Sequence, residues 1–229
     1  MNYDLIVFDW DGTLMNSEAR IVECLQKAAR DVDLPVPSVE KSRDIIGLGL
    51  DDAMARLFPG VSSPAQAALV EAYRVHWLDD KVASATMFSG ATSLITSLHQ
   101  SGCLLAVATG KSRRGLDRAL DESGLTKLFH VTRCADEAHS KPHPQMLLEI
   151  LTDLDMPPDR AVVVGDTEYD MQMAGSARVD AVGIEHGVHT RERLMAAGAM
   201  ICVADLFAFS DWIGHPLQQP IESYTDGTG

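Results

Sequence analysis

The sequence lacks three features that would place the chain in a specialised class of protein. Its four cysteines, at positions 24, 103, 134 and 202, form no C-x-x-C pair, so neither a zinc site nor a dithiol redox motif is predicted. No apolar stretch approaches the roughly 20 residues that a membrane span needs. The first residues lack the basic start and apolar run of a signal peptide. We therefore expect a cytoplasmic protein with reduced, mostly buried thiols.

Positive charge is also scarce, because 19 Lys and Arg residues stand against 33 Asp and Glu residues and give a formal net charge of −14. Nucleic acids and anionic membranes bind to positive surfaces, so neither is expected as a partner. A small anionic substrate is not excluded, since it needs only a local positive charge or a bound metal ion. The chain has 229 residues, of which 46% are hydrophobic, and this suits one large domain or a domain with an insert.

The most distinctive stretch of the chain follows directly after an apolar run at residues 5–8. Asp9 and Asp11 are separated by one residue, and Gly12 and Thr13 follow. Two neighbouring carboxylates repel each other and lose hydration when they are crowded, and a divalent cation would offset both effects. Asp-Gly is also a common turn pair. Taken alone, this stretch supports a metal site and an ordinary turn equally.

Apolar segments of strand length alternate with helical patterns along most of the chain. Strands are predicted at residues 5–8, 103–108, 130–134, 161–164, 181–184 and 200–203. This alternation is typical of an α/β fold with a doubly wound parallel sheet. Residues 16–86 break the alternation, because they contain helical patterns without strands. We expect them to form an inserted α-helical cap subdomain.

The predicted domain organisation follows from this insert. Residues 1–15 and 87–229 are expected to form the α/β catalytic core, and residues 16–86 the helical cap. Residues 214–229 are polar and contain Pro and Gly, so we expect a loosely ordered tail within the core span. Ser17 is predicted to be the N-cap of the first cap helix.

Polar side chains follow four of the predicted strands, at or soon after the point where each strand ends. These residues are Asp9, Asp11, Thr109, Lys141, Asp166 and Asp170. Doubly wound sheets bind ligands outside the carboxyl ends of their strands, so we expect these side chains to converge. Their occurrence after four strands favours one functional site over four unrelated turns.

The converging groups suit phosphoryl transfer. A cluster that offers only oxygen ligands is typical of Mg²⁺, whose shell is completed by water and substrate phosphate. The hydroxyl of Thr109, beside the backbone of Gly110, and the charge of Lys141 can hold a phosphate. One carboxylate of the first pair can attack the phosphorus. The other can protonate the leaving oxygen and then deprotonate the hydrolytic water.

Four motifs, in this order, resemble those of the haloacid dehalogenase superfamily of phosphohydrolases, in its phosphoglycolate-phosphatase-like branch with a helical cap. The motif D-x-D-G-T-[LV] is matched by residues 9–14, and a strand ending in Thr or Ser is matched at Thr109. A Lys often followed by Pro is matched by residues 141–142, and G-D-x-x-x-D by residues 165–170. The motifs cover the chain from its start to residue 170.

The resemblance implies a role for each aspartate. It implies that Asp9 is the nucleophile and a Mg²⁺ ligand. Asp11 would be the general acid and base, and its backbone carbonyl would also bind Mg²⁺. Asp166 would bind Mg²⁺ directly, and Asp170 would bind it directly or through water.

The resemblance also implies how the substrate is held. Thr109, Gly110 and Lys141 would bind the transferring phosphoryl group. Residues 16–86 would be the cap that closes over the site and excludes water from the phosphoryl-enzyme. Residues 47–49, Gly-Leu-Gly, lie where such caps present a substrate-facing loop, and they could equally be a turn between two helices.

The implied function is a Mg²⁺-dependent phosphatase that acts on a small anionic phosphomonoester such as phosphoglycolate, through an aspartyl-phosphate. A phosphomutase of the same superfamily would use the same site and stays open. A hydrolytic dehalogenase is disfavoured, because it needs neither a metal cluster nor a second acid. A phospho-accepting signalling module pairs similar residues, but it must retain its phosphate and needs no cap.

Overall fold

The computed structural model describes residues 3–79 and 81–217. Its strands are β1 (Leu5–Phe8), β2 (Met15–Asn16), β3 (Thr86–Met87), β4 (Leu104–Thr109), β5 (Val131–Cys134), β6 (Ala161–Gly165), β7 (Asp180–Ile184) and β8 (Ile201–Val203). Its helices are α1 (Glu18–Asp31), α2 (Val39–Arg43), α3 (Leu50–Leu57), α4 (Ser63–Trp77), α5 (Ala91–Gln100), α6 (Arg113–Ser123), α7 (Gln145–Asp153), α8 (Glu168–Ala177), α9 (Arg191–Ala196) and α10 (Leu206–Trp212).

The centre of the fold is a six-stranded parallel sheet in the order β5-β4-β1-β6-β7-β8. β1 lies in the middle, where Phe8 is opposite Val107 of β4 and Val164 of β6. Every residue of β1 is buried, as expected for a strand that helices cover on both faces. The predicted α/β fold with a doubly wound parallel sheet is confirmed, and all six predicted strands begin and end within one residue of the observed ones.

The two faces of the sheet are covered by different helices, because the side chains of a strand point alternately to opposite faces. Ile6 and Phe8 belong to the cluster that includes buried residues of α5, α6 and α10. Leu5 and Val7 belong to the cluster that includes buried residues of α7 and α8. Later strands lie on both sides of β1, with β4 and β5 on one side and β6, β7 and β8 on the other. Folds of this kind bind ligands at the carboxyl end of the strand where the order reverses, which here is β1.

Helices α1, α2, α3 and α4 lie between β2 and β3 in the sequence, and three of them share a buried cluster. Leu25 of α1, Met54 of α3 and Leu69 of α4 belong to it. β2 and β3 pair as an antiparallel ribbon, with Met15 opposite Met87. The sequence does not predict this ribbon, because two residues are too few for an alternating pattern. It lies at the borders predicted for the cap, and the division into core and cap stays a prediction.

Three further expectations concern the whole chain. The four cysteines are buried, as predicted. Within the described residues, no helix is both long and apolar enough to span a lipid bilayer. The tail predicted at residues 214–229 lies outside the described residues from residue 218 onward.

Candidate active site

β1 brings Asp9 and Asp11 to the carboxyl edge of the sheet. The backbone N–H of Asp9 donates to the carbonyl of Val164 at 2.9 Å and extends the pairing of β1 with β6. The chain then turns at Gly12, whose φ of +90° favours glycine. A Cβ on Gly12 would lie 2.2 Å from Oδ2 of Asp166. The glycine therefore lets this turn pack directly against the carboxylate that follows β6.

Lys141 bonds two carboxylates that follow different strands of the sheet. Its ammonium Nζ donates to Oδ1 of Asp9 and to Oδ1 of Asp170, each at 2.6 Å, and its side chain is fully buried. Burial alone would lower the pKa of Lys141, but the charges of Asp170 and Asp9 raise it above its usual value. Lys141 is therefore a buried, protonated cation between two carboxylates.

Asp9, Asp166 and Asp170 form a buried acidic cluster, in which one carboxylate oxygen of each residue lies within 4.8 Å of the others. Burial raises the pKa of Asp166 to about 7, and the charge of Asp170 adds to this shift. Burial also raises the pKa of Asp9 well above its usual value, against the opposing effect of Lys141. Full ionisation of the cluster is therefore costly without a further cation.

The donor set of this cluster fits a divalent cation. Oδ2 of Asp9 is buried and has no hydrogen-bond partner among the described residues, although an unpaired buried carboxylate oxygen is costly. Carboxylate oxygens without nitrogen or sulfur ligands suit Mg²⁺. The carboxylate of Asp11 is not part of the cluster in the described chain. This is compatible with the implied binding of Mg²⁺ through the Asp11 backbone, which stays a prediction.

Local hydrogen bonds fix the two aspartates of residues 165–170. Thr167, the N-cap of α8, donates from its backbone N–H and from Oγ1 to Oδ2 of Asp170, at 3.1 and 2.6 Å. Asp166 accepts from Oγ1 of Thr13 at 2.7 Å and from the backbone N–H of Val188 at 2.9 Å. Both carboxylates are therefore held in fixed orientations before any ligand arrives.

The predicted phosphate-binding residues of β4 lie beneath the helical insert. Thr109 is the last residue of β4 and is buried, and its Oγ1 accepts from the backbone N–H of Lys111 at 3.2 Å. A Cβ on Gly110 would lie 2.3 Å from the carbonyl oxygen of Leu48. Only glycine allows the backbone of the insert to approach this closely.

Residues 47–49 of the insert cover the carboxyl edge of the sheet. The backbone N–H of Gly49 donates to Oγ of Ser140 at 2.7 Å, and a Cβ on Gly47 would lie 2.9 Å from Oγ1 of Thr167. Together with the contact of Leu48 at Gly110, the loop touches the segments that follow β4, β5 and β6. It therefore faces the site, and its role in specificity stays a prediction.

The carboxylate of Asp11 has different partners from that of Asp9. Oγ of Ser17 donates to Oδ1 of Asp11 at 2.6 Å, and Nζ of Lys111 lies 3.0 Å from both oxygens. Ser17 occupies the N-cap position of α1, as predicted, but its hydroxyl bonds Asp11 and does not cap the helix. Two carboxylates in different environments can take different chemical roles.

The model of the haloacid dehalogenase-like hydrolase family matches residues 6–184, a range that contains every predicted site residue. The chain belongs to this family. The resemblance drawn from the four motifs is thereby confirmed, and so is the prediction that the chain is a hydrolase.

Two curated relatives of this haloacid dehalogenase-like hydrolase carry phosphatase names. A protein of Dickeya dadantii named "Probable phosphatase IndB" is 32% identical over 214 residues, which cover 92% of each chain. A phosphoglycolate phosphatase of Rhodospirillum rubrum is 28% identical over 220 residues, which cover 92% of this chain and 91% of that protein. These names agree with the predicted enzyme class, a phosphoric monoester hydrolase.

The fold is shared with solved structures. The crystal structure of a hydrolase from Pseudomonas syringae matches with a TM-score of 0.82 at 21% identity, and the match covers 91% of this chain and 96% of that one. At this level of identity the likeness concerns the fold alone.

The structure of this haloacid dehalogenase-like hydrolase brings the predicted site residues to one edge of the sheet and adds side chains for which the motifs imply no role. Thr13 and Thr167 orient the cluster, and Ser17 bonds Asp11. The spacing T-x-x-D at residues 167–170 is a helix-capping pattern that could have predicted the contact of Thr167. The sequence marks Lys111 only as a charge near a strand end, without a sign that it pairs with Asp11.

Proposed function

We propose that the chain is a Mg²⁺-dependent phosphatase that hydrolyses a small phosphomonoester, such as phosphoglycolate, through an aspartyl-phosphate intermediate. The observation that supports this most directly is the state of Asp9. One of its oxygens is held by Lys141, while Oδ2 is buried without a hydrogen-bond partner in the described residues. A carboxylate with one fixed and one unpaired oxygen, beside two further carboxylates, suits a nucleophile that is also a metal ligand.

Binding of the phosphoryl group uses residues that already have fixed positions. A Lys ammonium has three donors, and Asp9 and Asp170 occupy two donors of Lys141, which leaves one for a phosphoryl oxygen. The hydroxyl of Thr109 supplies a second donor. Mg²⁺, which Asp9, Asp166 and Asp170 would hold, would supply positive charge that stabilises the phosphoryl oxygens.

The first half-reaction transfers the phosphoryl group to the protein. A carboxylate oxygen of Asp9 attacks the phosphorus, and the bond from phosphorus to the ester oxygen breaks. Asp11, in its acid form, donates a proton to that oxygen, so the leaving group departs as an alcohol. The product is an aspartyl-phosphate at Asp9 and an ionised Asp11.

The second half-reaction restores the enzyme. The ionised carboxylate of Asp11 takes a proton from a water molecule whose oxygen attacks the phosphorus. The bond from phosphorus to Asp9 then breaks and inorganic phosphate leaves. Because Asp9 is 2% exposed, part of the cover over the site has to move for substrate to enter and for phosphate to leave.

The test is phosphate release from a panel of phosphomonoesters that includes phosphoglycolate and sugar phosphates. We expect turnover with Mg²⁺, loss of turnover with EDTA and recovery when Mg²⁺ is restored. Asp9→Asn should reduce turnover to about one part in a thousand or less, whereas the exposed Asp159→Asn is the matched control and should behave as wild type.

Three outcomes would contradict the proposed function. Phosphate release that does not depend on a metal would contradict the role of Mg²⁺. Isomerised sugar phosphate without release of inorganic phosphate would indicate a mutase. Retained turnover in Asp9→Asn would show that another group is the nucleophile.

A further inference from the structure

Lys111 is a largely buried cation that the proposed reaction does not use. It lies in the segment between β4 and α6, its side chain is 9% exposed, and its Nζ lies 3.0 Å from both carboxylate oxygens of Asp11. Among the Lys and Arg side chains that the structure describes, it is the one that forms an ion pair with Asp11. The proposed reaction assigns the phosphoryl group to Lys141 and leaves Lys111 without a role.

The second contact of Lys111 is with the helical insert. Its Nζ lies 4.5 Å from the centre of the ring of Trp77, the last residue of α4, a distance at which an aromatic face attracts a cation. The ring of Trp77 stacks on Tyr73 with centroids 6.0 Å apart. Arg20 lies 5.1 Å from the same ring and donates to the carbonyl of Trp77 at 2.5 Å. Other residues of the insert therefore fix the indole independently of Lys111.

These contacts connect the carboxylate of Asp11 to the insert. Among the described residues, two side chains bond this carboxylate, Ser17 and Lys111. Ser17 lies where the chain enters α1, and Lys111 rests against Trp77 at the end of α4. Both partners therefore depend on the position of the helices that cover the site.

We propose that Lys111 is a positioning residue for Asp11, and that Trp77 holds Lys111 in place while the insert covers the site. The inference rests on the proposed phosphatase function, because it takes Asp11 as the acid that protonates the leaving oxygen. Proton transfer requires hydrogen-bond distance between acid and leaving oxygen. A carboxylate without its fixed partner reaches that geometry less often.

A comparison of kcat/KM for two esters with different leaving groups distinguishes a positioning role of Lys111 from a structural one. Glycerol 2-phosphate has an alkoxide leaving group that must be protonated, whereas 4-nitrophenyl phosphate releases a stable phenolate. Neither leaving group carries an anionic substituent that would pair with Lys111. The ratio kcat/KM reports the steps up to phosphoryl transfer, so the later hydrolysis of the aspartyl-phosphate, which both esters share, does not affect the comparison.

The expected result is a loss of kcat/KM that is larger for glycerol 2-phosphate than for 4-nitrophenyl phosphate. In Lys111→Met, kcat/KM for glycerol 2-phosphate should fall about tenfold or more beyond the fall for 4-nitrophenyl phosphate, because general acid catalysis is worth about 100-fold or more. Lys111→Arg should restore most of the loss. Trp77→Leu should show the same selectivity to a smaller extent, and it should add no selective loss to Lys111→Met. Lys127→Met, at an exposed position, is the matched control and should resemble wild type.

Other outcomes overturn the inference in distinguishable ways. An equal loss with both esters would assign Lys111 a structural role, and a loss confined to phosphoglycolate would assign it to binding of a substrate carboxylate. In either case, wild-type turnover in the same assay would still support the phosphatase function. If wild type releases phosphate from neither of these esters nor from any other phosphomonoester of the panel, the phosphatase function fails and the inference fails with it. If Lys111→Met does not fold, Trp77→Leu gives the same comparison.

Discussion

At the scale of single residues, the two carboxylates that follow β1 differ in what surrounds them. Asp9 shares a buried cluster with Lys141 and two further aspartates. Asp11 bonds a hydroxyl from the insert and the ammonium of Lys111. A pair of like residues can divide nucleophilic and acid–base work only when their environments differ in this way.

We expect Asp11→Asn to slow turnover about 100-fold or more, because an amide can neither donate nor accept the proton. With 4-nitrophenyl phosphate the phosphoryl-enzyme should still form, since its leaving group needs no proton, and it should then accumulate. A burst of nitrophenolate close to one equivalent per enzyme, followed by slow turnover, is the measurement. Unchanged steady-state turnover would show that Asp11 is neither the acid nor the base.

Gly12 offers a second prediction at this scale. Gly12→Ala adds a Cβ 2.2 Å from the position of Asp166 Oδ2 at a φ of +90°, so Asp166 must move. Gly60→Ala is the matched control, because Gly60 has a φ of +84° and no atom within 4 Å of its added Cβ. The strain common to both variants is about 1–2 kcal/mol.

Urea unfolding with EDTA and calorimetric titration with Mg²⁺ measure the difference between these two variants. We expect Gly12→Ala to lower the free energy of unfolding more than Gly60→Ala does, and to weaken Mg²⁺ binding. Gly60→Ala should bind Mg²⁺ as wild type does. Equal effects of the two variants would mean that Asp166 tolerates the displacement.

At the scale of elements, Asp44 links the insert to the helices that follow β6 and β7. Its carboxylate accepts from Arg193 of α9 at 2.5 Å, and its carbonyl accepts from the hydroxyl of Tyr169 of α8 at 2.7 Å. Asp44 directly follows α2 and precedes residues 47–49. These two bonds therefore hold the covering loop near the site without touching the acidic cluster.

Removing the charge of Asp44 should loosen that loop. The pair with Arg193 is partly exposed and contributes about 1 kcal/mol or less, so Asp44→Asn should speed amide exchange at residues 45–50 by at most about fivefold. Hydrogen exchange followed by mass spectrometry measures this. Glu122→Gln, which removes an exposed pair with Arg118 on α6, is the control and should leave residues 45–50 unchanged. Equal exchange in Asp44→Asn and wild type would show that the pair does not hold the loop.

The sequence predicts those strands that are buried on both faces, because burial on both faces makes their residues apolar at every position. β1 and β6 are covered on both faces, so they read as unbroken apolar runs that end at the motif aspartates. β2 and β3 have two residues each and partly exposed side chains. They are defined by their pairing with each other across the insert, and no local sequence pattern predicts that pairing.

The same distinction applies to the site. Asp9, Lys141 and Asp166 belong to spaced motifs at strand ends, so topology alone brings them together. Lys111 and Asp11 are 100 residues apart, and no motif connects them. Ser17 has a local alternative as a helix N-cap, and only the folded structure shows that its hydroxyl bonds Asp11 instead.

At the scale of the whole molecule, the ionised acidic cluster lowers the free energy of unfolding when no cation is bound. Burial raises the pKa of Asp166 to about 7, whereas an unfolded Asp has a pKa of about 3.9. Between these two pH values the folded protein keeps a proton that the unfolded chain has released. The contribution of Asp166 to the free energy of unfolding is therefore complete below about pH 4 and is lost as the pH rises through about 7.

A comparison of wild type with Asp166→Asn measures this contribution together with the part by which the charge of Asp166 raises the pKa of Asp9, because the variant has no titrating group at position 166. In urea unfolding with EDTA, wild type should lose about 2 kcal/mol more than the variant between pH 5 and pH 8. Any hydrogen bond that the amide fails to make lowers the stability of the variant equally at both pH values and does not affect the difference. Saturating Mg²⁺ should stabilise wild type most at pH 8, where the carboxylates are ionised, and should stabilise the variant less. Equal pH dependence of the two proteins would show that Asp166 is already ionised in the metal-free fold.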